Sequence, residues 1–231
     1  MSDTADVPQH LGIILDGNRR WAKARGLPTL EGHRQGSDVF KEVSQAAFDR
    51  GVKYLSAFVF STENWSRTEE EVGYLMKLVV RVVKTYLKEV DQNGVRIVIL
   101  GRRDGLRRSV LKAIEEAEAK TAHNTRGTIA LCFNYGGKEE LVDAVKDMIS
   151  KGTKPEEVTA DAIAQSLYSP EIPPVDFMIR TSGEQRTSGF MLYRAEYAEL
   201  YFTDKYWPDF GVADLDDALA EYSHRQRRFG K

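Results

Sequence analysis

The chain has 231 residues, of which 42% are hydrophobic and 29% charged, the composition of a folded soluble protein rather than a disordered one. Its 33 Lys and Arg against 35 Asp and Glu leave a formal charge of −2, which excludes wholesale electrostatic binding of nucleic acid but not a local basic site. The one cysteine, Cys132, excludes a disulfide framework. No apolar run approaches the roughly 20 residues of a membrane span, and the opening MSDTADVPQH lacks a signal-peptide pattern, so a cytoplasmic protein is expected. With no repeat or low-complexity linker, one domain over 1–231 is expected, with 1–9 as a flexible N-terminus.

Short apolar runs stand at 11–15 (LGIIL), 54–60 (YLSAFVF), 95–100 (VRIVIL), 128–133 (TIALCF) and 175–179 (VDFMI). Several are near-continuous rather than alternating, as in strands buried on both faces. In the second, strict alternation would put Ala57, Val59 and Ser61 on one face and Phe58 and Phe60 on the other. Helical spacing follows around Val39, Val43, Ala46 and Ala47, then over 69–92, 106–123 and 138–149; a short strand at 199–202 and a helix at 213–228 finish the chain. The alternation implies an α/β fold, a single domain with a central, mainly parallel six-stranded sheet surrounded by helices. The 69–92 helix is apolar over far more than one stripe, from Val72, Leu75, Met76, Leu78 and Val79 to Leu87 and Val90. It reads either as a helix buried between the sheet and a partner subunit, or as the wall of an apolar channel.

Ligands of open parallel sheets bind beyond the carboxyl ends of the strands, so the residues there carry the chemistry. After the first strand comes Asp16-Gly17-Asn18-Arg19-Arg20-Trp21. A carboxylate, a glycine permitting close backbone approach and two arginines suit metal-assisted binding of a phosphorylated ligand, although a capped turn with solvated arginines reads the same. After the second comes Ser61-Thr62-Glu63-Asn64-Trp65-Ser66-Arg67, able to grip a diphosphate or close over a substrate; Thr68 and Glu71 have capping-box spacing. After the fifth comes Arg180-Thr181-Ser182-Gly183-Glu184-Gln185-Arg186-Thr187-Ser188-Gly189, a pair of guanidinium forks among small residues. Other motifs fail: Cys132 and Glu139 break a P-loop ending at Lys138, no GxGxxG follows the first strand, and the four histidines lack zinc spacing. Cys132 reads as packing.

At these residues the chain resembles the cis-prenyltransferases, the family of undecaprenyl diphosphate synthase and its short- and medium-chain relatives. The similarity runs from His10 to Gly230 on ordered blocks: DGNRRWAK, GHRQG, FSTENWSR, NYGGKEE, RTSGEQR, YAELYFTDKYWPDF and RRFG. The resemblance implies a parallel sheet wrapped by helices and built as a homodimer. It also implies Mg²⁺-dependent condensation of isopentenyl diphosphate with geranyl or farnesyl diphosphate, giving a Z double bond and free diphosphate. By position, Asp16 would hold Mg²⁺ and promote departure of the allylic diphosphate, with Glu199 as a second metal carboxylate. Gly17, Asn18, Arg19, Arg20, Trp21 and His33 would bind the allylic substrate. Ser61, Thr62, Glu63, Trp65 and Arg67 would belong to the closing loop, with Asn64 implicated in removing the isopentenyl proton. Arg180, Arg186, Thr187 and Ser188 would hold isopentenyl diphosphate, and Arg228 and Gly230 would reach the partner subunit's site.

Three positions depart from the family pattern. Thr29 stands where most relatives have an arginine, leaving Arg19 or Arg25 as substitutes; Gly189 replaces an asparagine; and Val59-Phe60 replaces Ala-Phe. A short-chain or irregular synthase is the alternative reading. A non-catalytic partner subunit would typically have lost Asp16, Arg180 and Arg186, which this chain keeps. No nucleic acid is expected, and membrane contact at most peripherally, through the lipid product.

Overall fold

The computed structural model describes residues 7–225. Its six strands are β1 (His10–Ile14), β2 (Tyr54–Ser61), β3 (Val95–Leu100), β4 (Gly127–Tyr135), β5 (Phe177–Arg180) and β6 (Glu199–Phe202). They form one all-parallel sheet in the order β3-β4-β2-β1-β5-β6. The helices are α1 (Asn18–Ala24), α2 (Thr29–Asp49), α3 (Glu69–Gln92), α4 (Arg108–Thr121), α5 (Gly137–Ser150), α6 (Ala160–Ser166) and α7 (Val212–His224). The chain builds outward from β1 on one side through β2, β4 and β3, and later on the other through β5 and β6. That reversal beside β1 is the topological switch point where such sheets open a crevice at their carboxyl edge.

The expected α/β sheet is therefore present, and its differences from the sequence reading have local causes. β5 begins at Phe177 rather than 175, because the Val175 and Asp176 amides donate to Arg194 O and His10 O before the ladder starts. The helix read around 39–47 is the second half of α2, whose first half carries Gly32 and Gly36. Mid-helix glycine costs about 1 kcal/mol, but a Cβ at Gly32 would stand 2.0 Å from Asn18 O, so the glycines let α1 pack against α2. The final helix ends at His224, and the rest of the expected 213–228 segment lies outside the described residues. Within the expected flexible stretch 1–9, Val7 packs on the core and Gln9 O accepts the Lys53 and Tyr54 amides, while 1–6 lie outside the described residues.

One sheet face, with Leu11, Ile13, Leu55, Ile129, Phe177 and Ile179, packs on α2 and α7. Further along the same face Ile97, Ile99 and Phe133 pack on α3 and α4. The other face, with Val98, Leu100, Ala130, Cys132 and Met178, is closed by Ile172, Phe190 and Met191. Cys132 is fully buried, and that burial pushes its thiol well above the ordinary range, so packing is its role.

Strict alternation fails at one place in β2. The register runs Phe58↔Cys132, Phe60↔Phe133, Ser61↔Tyr135, leaving Val59 unmatched on β2 and Asn134 unmatched on β4. Two bulges thus compensate one another. Phe58 joins the far cluster as expected, but Phe60 turns to the α3 side together with Val59.

Candidate active site

The loop after β1 is pinned before it carries any chemistry. Asp16 O accepts the Trp207 amide at 2.9 Å and the Thr181 hydroxyl at 2.7 Å. Gly17 has φ +106°, and a Cβ there would meet the Tyr206 ring at 2.9 Å, so only glycine makes this turn. Pinning the backbone aims the Asp16 carboxylate between two arginines. Oδ2 accepts from Arg180 Nη2 at 2.8 Å, and Oδ1 lies 3.4 Å from Arg20 Nη2.

Arg180, at the end of β5, is 5% exposed and is the centre of the second loop. Its Nη1 donates to Arg186 O at 2.6 Å and to Ser188 Oγ at 2.9 Å, while its Nε is buried without a partner among the described residues. Ser182 and Ser188 take φ of +83° and +52°, a left-handed conformation that serine rarely adopts and that concentrates at functional loops. Glu184 bridges Arg20 and Arg186 at the rim.

Across the cleft, one carboxylate organises three basic groups. Glu71, in the first turn of α3, accepts from Arg67 Nη1 at 2.9 Å and His33 Nε2 at 3.3 Å, with Arg19 at 3.8 Å. Thr68 caps the Glu71 amide, as its spacing suggests, but the Glu71 carboxylate turns toward these groups instead of back to the cap. Burial lowers the His33 pKa, against the opposing pull of the Glu71 carboxylate. Between β2 and α3, residues Thr62–Ser66 form a short 3₁₀ turn. There Asn64 Oδ1 accepts the Ser61 amide at 3.2 Å, and Trp65 Nε1 donates to Asn134 Oδ1 at 2.8 Å.

These groups border two neighbouring clefts that share lining residues. The first, about 650 Å³, is polar and lined by Asp16, Gly17, Asn18, Arg19, Arg20, Lys23, Thr29, His33 and Arg67. The second, about 680 Å³, is walled by Phe40, Phe58, Val59, Phe60, Leu75, Leu78, Val79, Val82, Leu131 and Phe133, with Ser61, Glu63, Asn64, Arg180 and Ser188 near its mouth. Asp16, Asn18, His33 and Arg67 belong to both. The apolar width of α3 is thereby explained: Met76 and Leu87 are core, Leu75 and Val83 are core that also borders the cleft, Leu78, Val79 and Val82 line it, and none of its apolar residues is exposed.

Other expected site residues stand outside the clefts. Trp21 donates its indole N–H to Asp209 at 2.7 Å, and Arg186 turns to Glu184. Thr62, Trp65 and Thr187 support the loops rather than line the cavity. Glu199 heads β6 in register with Phe177, at the far end of the sheet from Asp16, and pairs with Arg225 at 3.1 Å; within one chain the two carboxylates are not brought together. Arg228 and Gly230 lie outside the described residues. The sequence pattern gives Lys23, Glu71 and Asn134 no part in the site, although Glu71 has capping-box spacing and Asn134 lies in the NYGG block.

A family model described as putative undecaprenyl diphosphate synthase matches residues 14–230. An isoprenyl transferase of Thermotoga maritima is 47% identical over 227 residues, 97% of each chain. One of Neisseria meningitidis is 44% identical over 225 residues, 97% of this chain and 90% of that one. Among solved structures, lavandulyl diphosphate synthase from Lavandula x intermedia in complex with dimethylallyl diphosphate superposes with a TM-score of 0.94 at 34% identity over the whole of both chains. A probable undecaprenyl diphosphate synthase from Campylobacter jejuni gives 0.84 at 28% identity, covering 98% of this chain and 100% of that one. The chain belongs to the undecaprenyl diphosphate synthase family and is a cis-prenyltransferase.

Proposed function

We propose that the protein condenses isopentenyl diphosphate with an allylic diphosphate, geranyl or farnesyl, into a Z-configured polyprenyl diphosphate. The observation that supports this is the pair of clefts that share Asp16, Asn18, His33 and Arg67: a cationic pocket lies beside an apolar one, matching a diphosphate head on a prenyl tail. Arg19, Arg20 and His33 would take the allylic diphosphate, and the hydrocarbon would lie along Phe40, Val59 and α3. Arg180 and Ser188, with Arg186 at the rim, would take isopentenyl diphosphate. The allylic C1–O bond breaks and C1 joins C4 of the isopentenyl unit. A C2 proton then leaves as the new double bond forms, so one diphosphate and one proton are released per step. Asn64, which lines the same cleft, would orient the departing proton rather than titrate, since an amide has no pKa near neutrality.

The donor set fits Mg²⁺. No group of three or more His, Cys, Asp or Glu forms a cage among the described residues, and Asp16 stands in the mouth shared by both clefts. One carboxylate with diphosphate oxygens and waters is how Mg²⁺ is commonly held. Bound there, the ion would neutralise charge on the leaving diphosphate. Asp16 would hold it, and Arg20 and Arg180 would fix the carboxylate's orientation.

A short or branched product is the second reading, favoured by the bulkier Val59 wall and by the likeness to lavandulyl diphosphate synthase. Labelled isopentenyl diphosphate incubated with dimethylallyl, geranyl or farnesyl diphosphate separates the two by product analysis. Z-configured linear products are expected, with Asp16→Asn reducing turnover on the order of 10²-fold. No incorporation with any primer, or undiminished turnover of that variant, would refute the assignment.

Homodimerisation is part of the same reading. Val142, Val145 and Ile149 leave an exposed apolar stripe on α5, whereas α3 is covered within the chain. Light scattering should give twice the 26.1 kDa chain mass, and Val145→Glu should lower it; an active wild-type monomer would overturn the dimer.

A further inference from the structure

We propose that Asn134 is the positioning residue that holds the substrate loop, residues 61–67, in its working place through the Trp65 indole. This deepens the functional reading above and rests on it.

Three features meet at Asn134. It is the unmatched residue of β4, offsetting Val59 in the β2–β4 register. Its φ of +52° lies in the left-handed region, where asparagine is tolerated better than most residues. Its side chain uses both ends of the amide. Nδ2 donates to Arg102 O at 2.9 Å and Asp104 O at 3.1 Å, and Oδ1 accepts from Trp65 Nε1 at 2.8 Å. Only an NH₂ group can face two carbonyls, so the oxygen must face the indole N–H. The main chain adds a further tie, since the Arg102 amide donates to Asn134 O at 3.1 Å.

The Trp65 residue is 41% exposed and its ring meets Phe60 edge-to-face at 5.3 Å, a contact without a directional hydrogen bond. The bond to Asn134 supplies the fixed direction. The following turn crowds the same loop, because a Cβ at Gly136 would stand 2.7 Å from Thr62 Oγ1. At its other end the loop is held by Arg67 on Glu71. Asn64 precedes Trp65 directly, so the tether sets where the Asn64 amide stands without touching substrate. Reacting groups mispositioned by about 1 Å can cost on the order of 10²-fold in rate.

The test follows the Trp65 indole N–H in ¹H–¹⁵N spectra, assigned by its loss in Trp65→Phe, beside steady-state kinetics. Asn134→Gly keeps the left-handed backbone and removes the amide; Asn134→Asp keeps an oxygen for the indole. In the glycine variant the Trp65 signal should move toward the free-indole position and exchange faster with water. Its kcat should fall by at least about tenfold, while KM for the allylic primer, held by Arg20 and His33 on other elements, stays within about twofold. The aspartate variant should regain part of both the signal and kcat. An unmoved signal overturns the proposal, as does a moved signal with wild-type kcat. A lowered Tm with kcat per folded molecule intact also overturns it, because Asn134 would then be structural only. A wild-type protein that turns over no substrate would sink the functional reading alone, since the indole signal decides the tether without turnover.

Discussion

Arg19 and Arg25 flank the short helix α1, and each was a candidate to replace the arginine absent at Thr29. Arg25 is already engaged: its Nη2 meets both Asp209 oxygens at 2.9 and 3.0 Å, and its guanidinium stacks 4.5 Å over the Trp21 ring. Arg19 lines the polar cleft beside Thr29, has a side chain 59% exposed, and has its nearest carboxylate 3.8 Å away. Among the described residues it is therefore the one of this pair whose guanidinium is free to meet a diphosphate. Arg19→Gln should raise KM for the allylic primer by about tenfold or more, since a hydrogen bond to a charged group contributes about 1.5–3 kcal/mol. Arg25→Gln should leave that KM unchanged, and Thr29→Arg should recover the loss in the Arg19→Gln background. Equal effects from the two single variants would show that the structure misassigns them. The sequence offered both candidates and had no means to choose, because the partner that occupies Arg25 stands 184 residues away. The same limit hid Glu71, whose local spacing marks a cap while its carboxylate serves groups on α2 and the 61–67 loop.

At the scale of elements, all six strands were legible, because buried parallel strands are short apolar runs bounded by polar loops. The 69–92 helix was legible to the residue, yet its purpose was not, since a core and a prenyl-sized cleft ask for the same side chains. Alternation could not foresee the paired bulges, because a bulge is a property of two strands together. The bulges matter to product length. Phe58, Val59 and Phe60 all line the apolar cleft, so the wall there carries three consecutive residues. Valine in place of the alanine that the family resemblance implies adds two methyl groups and a stiff χ1 to that wall. Overpacking of this size typically costs about 1–3 kcal/mol, enough to end elongation an isoprene unit earlier. Val59→Ala should lengthen the mean product at matched primer and isopentenyl diphosphate. An unchanged product distribution would assign length control to Leu78, Val79 and Val82 of α3 instead.

For the whole molecule, the α/β class was legible but the strand order was not, because the β2–β3 and β4–β5 crossovers pass over intervening strands. Their result is a sheet with its chemistry at one edge and a buried histidine at the other. His10 Nδ1 donates to Pro173 O at 2.8 Å, Nε2 accepts the Ser56 hydroxyl at 2.7 Å, and its amide donates to Asp176 at 2.9 Å. One neutral tautomer thus ties β1 to β2 and to the segment entering β5. Burial lowers the His10 pKa from 6.5 to about 4, against the opposing pull of the Pro173 carbonyl and Asp176. The unfolded chain therefore binds a proton at this ring between pH 6.5 and about 4 while the native state does not. The stabilisation is complete above pH 6.5 and is lost as the pH falls toward 4. At about 1.4 kcal/mol per unit the loss reaches roughly 3 kcal/mol, a large part of a typical 5–15 kcal/mol stability. Melting temperature measured from pH 7 to 4.5 should fall steeply in the wild type. His10→Gln, which keeps a donor and an acceptor, should start lower at pH 7 but fall less over the same range. Because His10 sits at the sheet edge opposite Asp16, its variant should keep wild-type kcat at pH 7. Parallel slopes for the two proteins would place the acid sensitivity elsewhere, and a lost kcat would show that the two ends of the sheet are coupled.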